Sequence, residues 1–295
     1  MKKKIFIVVL TWNRRDLVNE ALESIYKTIS KHEFKIIVVD NASKDDTVKF
    51  IKDKYSTVTL LVNKDNLGWS GGNNRAIKYS LRKKADYIIL LNNDVTIESN
   101  FVDRMISEME KNDKIGIAGP KIYRSNTNPA ILSNAGNFFT KDYQGNSRGG
   151  GKIDTGHFNK VIQTDYVAGI VCAKAEVYRK VGLLDESYFL YFEDADYSIR
   201  ARECGFLLIY VPDAIQYHRE SATIGVNSPS HVYYNVRNHL LFVEKHVGIK
   251  ILLIQLYLTT RLMASKIYHR DKNSVFYFHG LKDYFFRRFG NRQYW

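Results

Sequence analysis

Tyr87-Ile88-Ile89-Leu90-Leu91-Asn92-Asn93-Asp94-Val95 runs from five apolar residues straight into two amides and a carboxylate. A short, unbroken apolar run predicts a strand buried on both faces. Its abrupt polar end predicts an open α/β sheet, in which ligands gather outside the carboxyl ends of the strands. Asp94 then stands where a metal ligand or substrate contact is found, or where a turn or helix cap needs a carboxylate.

The same grammar extends on both sides. Residues 5–10, 34–39, 58–62 and 115–118 are apolar, β-branched runs that predict further strands. Between them lie helix-spaced residues: Val18, Leu22, Ile25 and Ile29, then Val48 and Ile51 after Asp45-Asp46-Thr47. Another helix is predicted to open at Gly71-Gly72-Asn73-Asn74 and continue through Ala76, Ile77 and Leu81, and a fourth spans residues 101–109. This alternation predicts an α/β fold with a mostly parallel central sheet flanked by helices. After Pro120 the regularity stops. Residues 124–160 read as short strands and loops, and order returns over 161–210.

A chain of 295 residues with 45% hydrophobic content suffices for one large domain, or one with a small appendage. The net charge of +13 is uneven: residues 231–295 hold 11 Lys and Arg against 3 Asp and Glu, and so carry +8 of it. Large apolar residues accompany that charge and no nucleic-acid motif appears, which argues against nucleic acid. Cys172 and Cys204 have neither metal nor disulfide spacing and read as reduced, buried thiols. Met1-Lys2-Lys3-Lys4 before an apolar run suggests a signal peptide, but the run is six residues long and reads better as a first strand.

In the tail, Lys250 and Arg261 bracket an apolar run with ten residues between them, far short of the ~20 that span a bilayer. Phe and Tyr interleaved with Lys and Arg follow, through Phe285-Phe286-Arg287-Arg288-Phe289. That pattern suits an anionic membrane surface; packing on the core or a homodimer interface through the C-terminal segment are the other readings.

Three sets of polar residues follow strands and so gather at one sheet edge: Thr11 and Asn13; Asp40, Asn41 and Ser43; Asn92, Asn93 and Asp94. The first strand–helix turn, Thr11-Trp12-Asn13-Arg14-Arg15, has no glycine, which excludes the dinucleotide fingerprint, and no Walker lysine loop occurs. Asp40 could hydrogen-bond a nucleobase or ribose, or merely cap the next helix. The glycines of Gly68-Trp69-Ser70-Gly71-Gly72-Asn73 either let amides approach a phosphate or serve a tight turn. Phe192-Glu193-Asp194-Ala195-Asp196-Tyr197 packs three carboxylates into four positions beside an aromatic run. Such crowding keeps a carboxylate basic, or starts a helix. His218 is a candidate ligand, or a packed histidine.

Taken in order, Thr11-Trp12-Asn13-Arg14, Val39-Asp40-Asn41-Ala42-Ser43, Asn66-Leu67-Gly68-Trp69-Ser70-Gly71-Gly72-Asn73, Leu91-Asn92-Asn93-Asp94-Val95 and Phe192-Glu193-Asp194-Ala195-Asp196-Tyr197 resemble an inverting glycosyltransferase of family 2 with the GT-A (nucleotide-diphospho-sugar transferase) fold. The likeness lies on the rhamnosyltransferase and galactofuranosyltransferase side of the family and covers roughly residues 4–245. It implies that Asp40 contacts the nucleobase with Thr11, Asn13, Asn41 and Ser43 nearby, and that Gly71, Gly72 and Asn73 lie near ribose and diphosphate. Asn92-Asn93-Asp94 stands at the Asp-x-Asp position, with Asp94 and His218 as ligands of Mg²⁺ or Mn²⁺. Asn92 departs from the usual carboxylate but still offers a carbonyl oxygen. Asp194 matches the general base, with Glu193 and Asp196 beside it.

The reduced thiols and the basic, aromatic tail point to a cytoplasmic enzyme, peripheral on the inner face of the cell membrane. By the resemblance, it would use a nucleotide-diphosphate sugar, dTDP-rhamnose or a UDP-sugar, and a lipid-linked or oligosaccharide acceptor in cell-surface polysaccharide assembly. Residues 1–120 would bind the donor, 121–245 the acceptor, and 246–295 would form a helical appendage. A nucleotidyltransferase, or a degenerate fold that binds glycan or scaffolds a complex without turnover, is the alternative.

Overall fold

The structure is a computed structural model that describes residues 2–219 and 228–292; the ends of the expected first domain and of the appendage, Met1 and 293–295, lie outside it, as do 220–227. The first half alternates as its periodicities predict: β1 (Lys4–Thr11), α1 (Arg15–Tyr26), β2 (Glu33–Asp40), α2 (Thr47–Lys54), β3 (Thr59–Val62), α3 (Gly68–Arg82), β4 (Tyr87–Asn92), β5 (Val95–Ile97), α4 (Phe101–Met109) and β6 (Ile115–Arg124). Short strands follow: β7 (Leu132–Asn134), β8 (Asn137–Phe139), β9 (Gly145–Ser147), β10 (Ile162–Gln163) and β11 (Cys172–Lys174). Then come α5 (Ala175–Val181), α6 (Glu193–Glu203), β12 (Leu207–His218), α7 (Pro229–His246), α8 (Ile249–Tyr268) and α9 (Ser274–Phe285).

The main sheet runs β10-β12-β6-β11-β4-β1-β2-β3. β1, β2, β3 and β4 pair in parallel, as do β6 and β12. β11 lies antiparallel between β4 and β6, and β5 and β10 lie antiparallel on β12. These three strands have only two or three residues each, too few to leave a periodic signal in the sequence.

Alternation along the strands splits the core into two layers. Ile5, Ile7 and Val9 face α1 and α4 residues such as Leu22 and Phe101, while Phe6 and Val8 face Ile77, Tyr178 and Tyr197. Both faces are covered, so β1 is apolar from Ile5 to Leu10. Ile29 does not continue α1: the helix ends at Tyr26, and Ile29 is exposed. Cys172 is buried as expected, and burial raises its thiol pKa; Cys204 is exposed at the end of α6.

The tail is helical, and it is not separate from the rest. Leu281, Asp283 and Tyr284 of α9 are buried, and the Tyr233 hydroxyl of α7 donates to Asp283 Oδ2 at 2.6 Å. Gly280 lets α9 approach α7; a Cβ there would lie 2.8 Å from Val236 Cγ1. The expected boundary at residue 245 therefore falls inside a shared core. α8 differs, with only Leu252 and Gln255 buried along its 20 residues. No described helix is long and apolar enough to cross a membrane.

Candidate active site

Strand register brings the predicted edge residues together. Thr11 pairs with Asp40, and Leu10 with Asn92, so the ends of β1, β2 and β4 form one row. Asn93 Nδ2 donates to Thr11 Oγ1 at 3.1 Å. Asp40 Oδ2 accepts from Ser43 N at 2.9 Å, and its buried Oδ1 has no hydrogen-bond partner. Asn13 takes a positive φ of 52° so that its own N–H reaches Ser43 Oγ at 2.8 Å and its Oδ1 accepts from Lys44 N at 2.6 Å. Asp40 thus shapes its own turn and keeps one acceptor in reserve. It does not cap α2, whose preceding residue is Asp46.

The glycine-rich stretch is resolved differently from its prediction. α3 begins at Gly68, three residues earlier than expected, and Gly68 alone of its glycines has a left-handed φ, +69°. A Cβ at Gly72 would sit 2.5 Å from Leu10 Cδ1 and 3.1 Å from the Asn41 amide, and one at Gly71 would lie 2.8 Å from Leu67 Cβ. Both glycines therefore have a packing reason. Asn41 is spent internally, donating to Gly68 O at 2.9 Å and accepting from Asn63 at 2.7 Å. Asn73 Nδ2 donates to Trp69 O at 3.0 Å, and its buried Oδ1 is unpartnered. Asn92 Oδ1 accepts from the Trp69 indole N–H at 2.8 Å. Its carbonyl thus meets an aromatic N–H with one of its two lone pairs.

Asp94 and His218 do come together. β5, absent from the sequence reading, pairs His218 with Val95 and so delivers the imidazole beside Asp94. His218 Nε2 lies 3.4 Å from Asp94 Oδ1, a buried oxygen that makes no hydrogen bond. A cleft of about 280 Å³ adjoins them, lined by Asn93, Asp94, Tyr217, Arg219 and their neighbours. One carboxylate oxygen and one imidazole nitrogen fit Mg²⁺ or Mn²⁺ when phosphate and water complete the shell. Among the described residues, no group of three or more His, Cys, Asp or Glu side chains forms a metal cage.

The acidic cluster opens α6. Phe192 precedes it with φ 72°, and no side chain caps the helix. Asp194 Oδ2 accepts from Gly169 N at 3.0 Å, in the 3₁₀ turn Ala168–Ile170, and Oδ1 from Ala195 N at 2.7 Å. Burial raises its pKa, and these amides only partly offset that. Glu193 is also pushed up, by burial and then by Asp194, and its Oε2 has no partner. Asp196 is different. It is fully buried, and burial alone would raise it, but His246 at 2.8 Å, Arg200 at 2.8 Å and Lys245 at 3.3 Å hold it down at about 2. It is 0% exposed and its oxygens bind Arg200 and His246, so it ties α6 to α7, whereas Asp194 is partly exposed.

Residues 6–170 match the family model described as glycosyl transferase family 2. The chain belongs to that family. Its fold is GT-A, and it is a glycosyltransferase. Along its length this glycosyltransferase is similar to the dTDP-rhamnosyl transferase RfbF of Shigella flexneri, at 26% identity over 296 residues, covering 94% of this chain and 92% of the other. It is also similar to the N-acetylglucosaminyl-diphospho-decaprenol L-rhamnosyltransferase of Mycobacterium tuberculosis, at 23% identity, covering 82% of this chain and 85% of the other. Among solved structures it superposes on a mannosyltransferase from Pyrobaculum calidifontis, in complex with GDP-Man and Mn²⁺, with a TM-score of 0.62 at 11% identity, over 98% of this chain and 88% of that one. At that identity the likeness speaks for the fold.

The sequence reading passed over Trp69, Arg237 and Asn238. Trp69 stood inside a quoted motif without a role, although an indole N–H at a sheet edge wants an acceptor. Arg237 and Asn238 stand in α7 between Tyr234 and Leu240, where an amphipathic helix shows no motif.

Proposed function

We propose that this glycosyltransferase moves rhamnose from a nucleotide-diphosphate sugar, dTDP-rhamnose before UDP-sugars, to a hydroxyl of a lipid-linked or growing surface glycan, with inversion. The observation that carries the reading is Asp94 Oδ1, buried, without a hydrogen bond and 3.4 Å from His218 Nε2, at the edge where Asp40 also keeps an unpartnered oxygen. Asp40, with Thr11 and Asn13, would receive the nucleoside. Asp94 and His218 would hold Mg²⁺ or Mn²⁺. That metal would neutralise charge on the departing diphosphate. Asp194 takes the proton of the acceptor hydroxyl as its oxygen bonds to the anomeric carbon and the bond from that carbon to the diphosphate breaks. The names of two relatives that align over most of the chain support rhamnose as the sugar.

A panel of nucleotide sugars with Mg²⁺ or Mn²⁺ tests this. Turnover of dTDP-rhamnose above the other donors is expected. Preference for another sugar would overturn the donor, and no turnover of any donor with lipid-linked or oligosaccharide acceptors would overturn the enzyme.

The tail supports the membrane part of the reading. Leu253, Ile254, Tyr257, Leu258 and Leu262 are exposed on α8, Phe285 and Phe286 at the end of α9, and Lys250, Arg261, Lys266, Arg287 and Arg288 stand among them. A basic, apolar face of this kind buries its apolar side at the headgroup boundary, and each cation near anionic lipid adds about 1 kcal/mol. The protein is expected to sediment with phosphatidylserine-containing liposomes and to be released by high salt. Leu253→Asp with Tyr257→Asp should abolish sedimentation without lowering the melting temperature, since both side chains are exposed. Indifference to liposomes, with a dimer that the same double variant dissociates, would assign the face to a second copy instead.

A further inference from the structure

The segment before the acidic cluster is held in a costly conformation. Phe189, Tyr191 and Phe192 have φ of 63°, 67° and 72°. Bulky aromatic residues rarely enter the left-handed region, and they persist there only where the surroundings over-determine them.

Two side chains of α7 do most of the holding. Asn238 Nδ2 donates to Tyr188 O at 2.7 Å, Leu190 O at 2.7 Å and Tyr191 O at 3.1 Å. Arg237 Nη2 donates to Ser187 O at 3.2 Å and Tyr188 O at 3.1 Å, and its Nε reaches Asn238 Oδ1 at 2.9 Å. Arg237 Nη1 turns the other way, to Gly290 O at 2.9 Å, while Gly290 N donates to Ser187 O at 2.8 Å. Arg237 and Asn238 are both 0% exposed. Burying a guanidinium is expensive unless its donors are all used, and a joint that only had to be stable could be built from apolar residues.

The loop also has a place in the chemistry. Phe192 O accepts from Asp196 N at 2.9 Å, so the loop's last residue starts the helix that carries Asp194. Phe189 O accepts from Trp69 N at 2.7 Å, and the Trp69 indole binds Asn92 at the donor edge. One short strained loop therefore joins the base-bearing helix to the end of β4.

We infer that Arg237 and Asn238 are positioning residues: with the terminal segment around Gly290 they hold the 187–192 loop so that Asp194 faces the donor edge. This rests on Asp194 being the base. Arg237→Lys keeps the charge but loses the planar fork that reaches several carbonyls at once. It is expected to lower kcat for transfer by about 10²-fold, the cost of a displacement on the order of 1 Å, while donor Kd stays within about twofold. A purely structural joint would lower the melting temperature and leave kcat of the folded enzyme unchanged.

Gly290→Pro provides a second handle if Arg237→Lys does not fold. It removes the N–H to Ser187 and forbids the φ of +77° at a site beyond α9. The same split, lower kcat with unchanged donor Kd, is expected. Adding Arg237→Lys to Asp194→Asn should cost little more, because the first change acts through the second. Wild-type kcat in folded Arg237→Lys or Gly290→Pro, with Asp194→Asn inactive, overturns the positioning role alone. Activity retained in Asp194→Asn overturns the base role instead.

Discussion

Asp194→Asn is expected to reduce sugar transfer by about 10² to 10⁴-fold and to leave donor binding nearly unchanged. The amide has almost the carboxylate's size, and its oxygen can still accept from Gly169 or Ala195. It cannot take the acceptor's proton. The pH dependence adds a second signature. Burial raises the Asp194 pKa above the ordinary aspartate value, and a base works only when ionised. The wild-type rate should therefore fall as pH drops through that raised pKa, and the limb should vanish in the variant.

Stability should move the other way. A carboxyl whose pKa is raised on folding contributes fully below its unfolded pKa and loses that contribution as pH rises through its folded value. The variant has no such charge to bury, so at alkaline pH its melting temperature should equal or exceed that of the wild type. An inactive variant that melts normally isolates the proton transfer; near-normal turnover would remove Asp194 from the base role.

How much of this was legible in the sequence depends on the length scale of each signal. β1 and β4 are buried on both faces, so their apolar runs were plain, and the polar residues at their ends fell where a parallel register must gather them. Helix α4 was legible to the residue because its apolar face repeats without interruption. The short antiparallel strands were not. β5 has three residues, yet it sets His218 beside Asp94, and β11 has three and divides the sheet. Such strands are defined by the partners they meet, and a window of three residues has no period. Asp196 was misleading for a related reason: its neighbours in sequence are carboxylates, but its neighbours in space are Arg200, Lys245 and His246, two of them on α7. Arg237 gave no signal at all, because most of its partners are backbone carbonyls and those carry no residue identity.

Asp94→Ala is expected to weaken donor binding and metal response together, and more than His218→Ala. Asp94 is the only carboxylate of the Asn92-Asn93-Asp94 turn, and the neutral amide of Asn92, whose carbonyl already accepts from Trp69, does not replace its charge. If the metal is worth about 3 kcal/mol to the departing diphosphate, losing its anionic ligand costs about 10²-fold in kcat/KM. The substitution also relieves a buried oxygen that makes no hydrogen bond, so the melting temperature without metal should not fall. That combination, lost activity with retained stability, separates a ligand from a structural aspartate. Titration of wild type and variant with Mn²⁺ in the presence of nucleoside diphosphate would read it directly, by the fraction of metal bound. Asn92→Asp offers the converse test. The new carboxylate still accepts the indole N–H and adds a charge at the same edge, so metal should bind more tightly without disturbing Trp69. Full activity of wild-type enzyme in excess chelator would remove the metal from the reaction, and Asp94 and His218 would then have to be read as a pair that packs the mouth of the cleft.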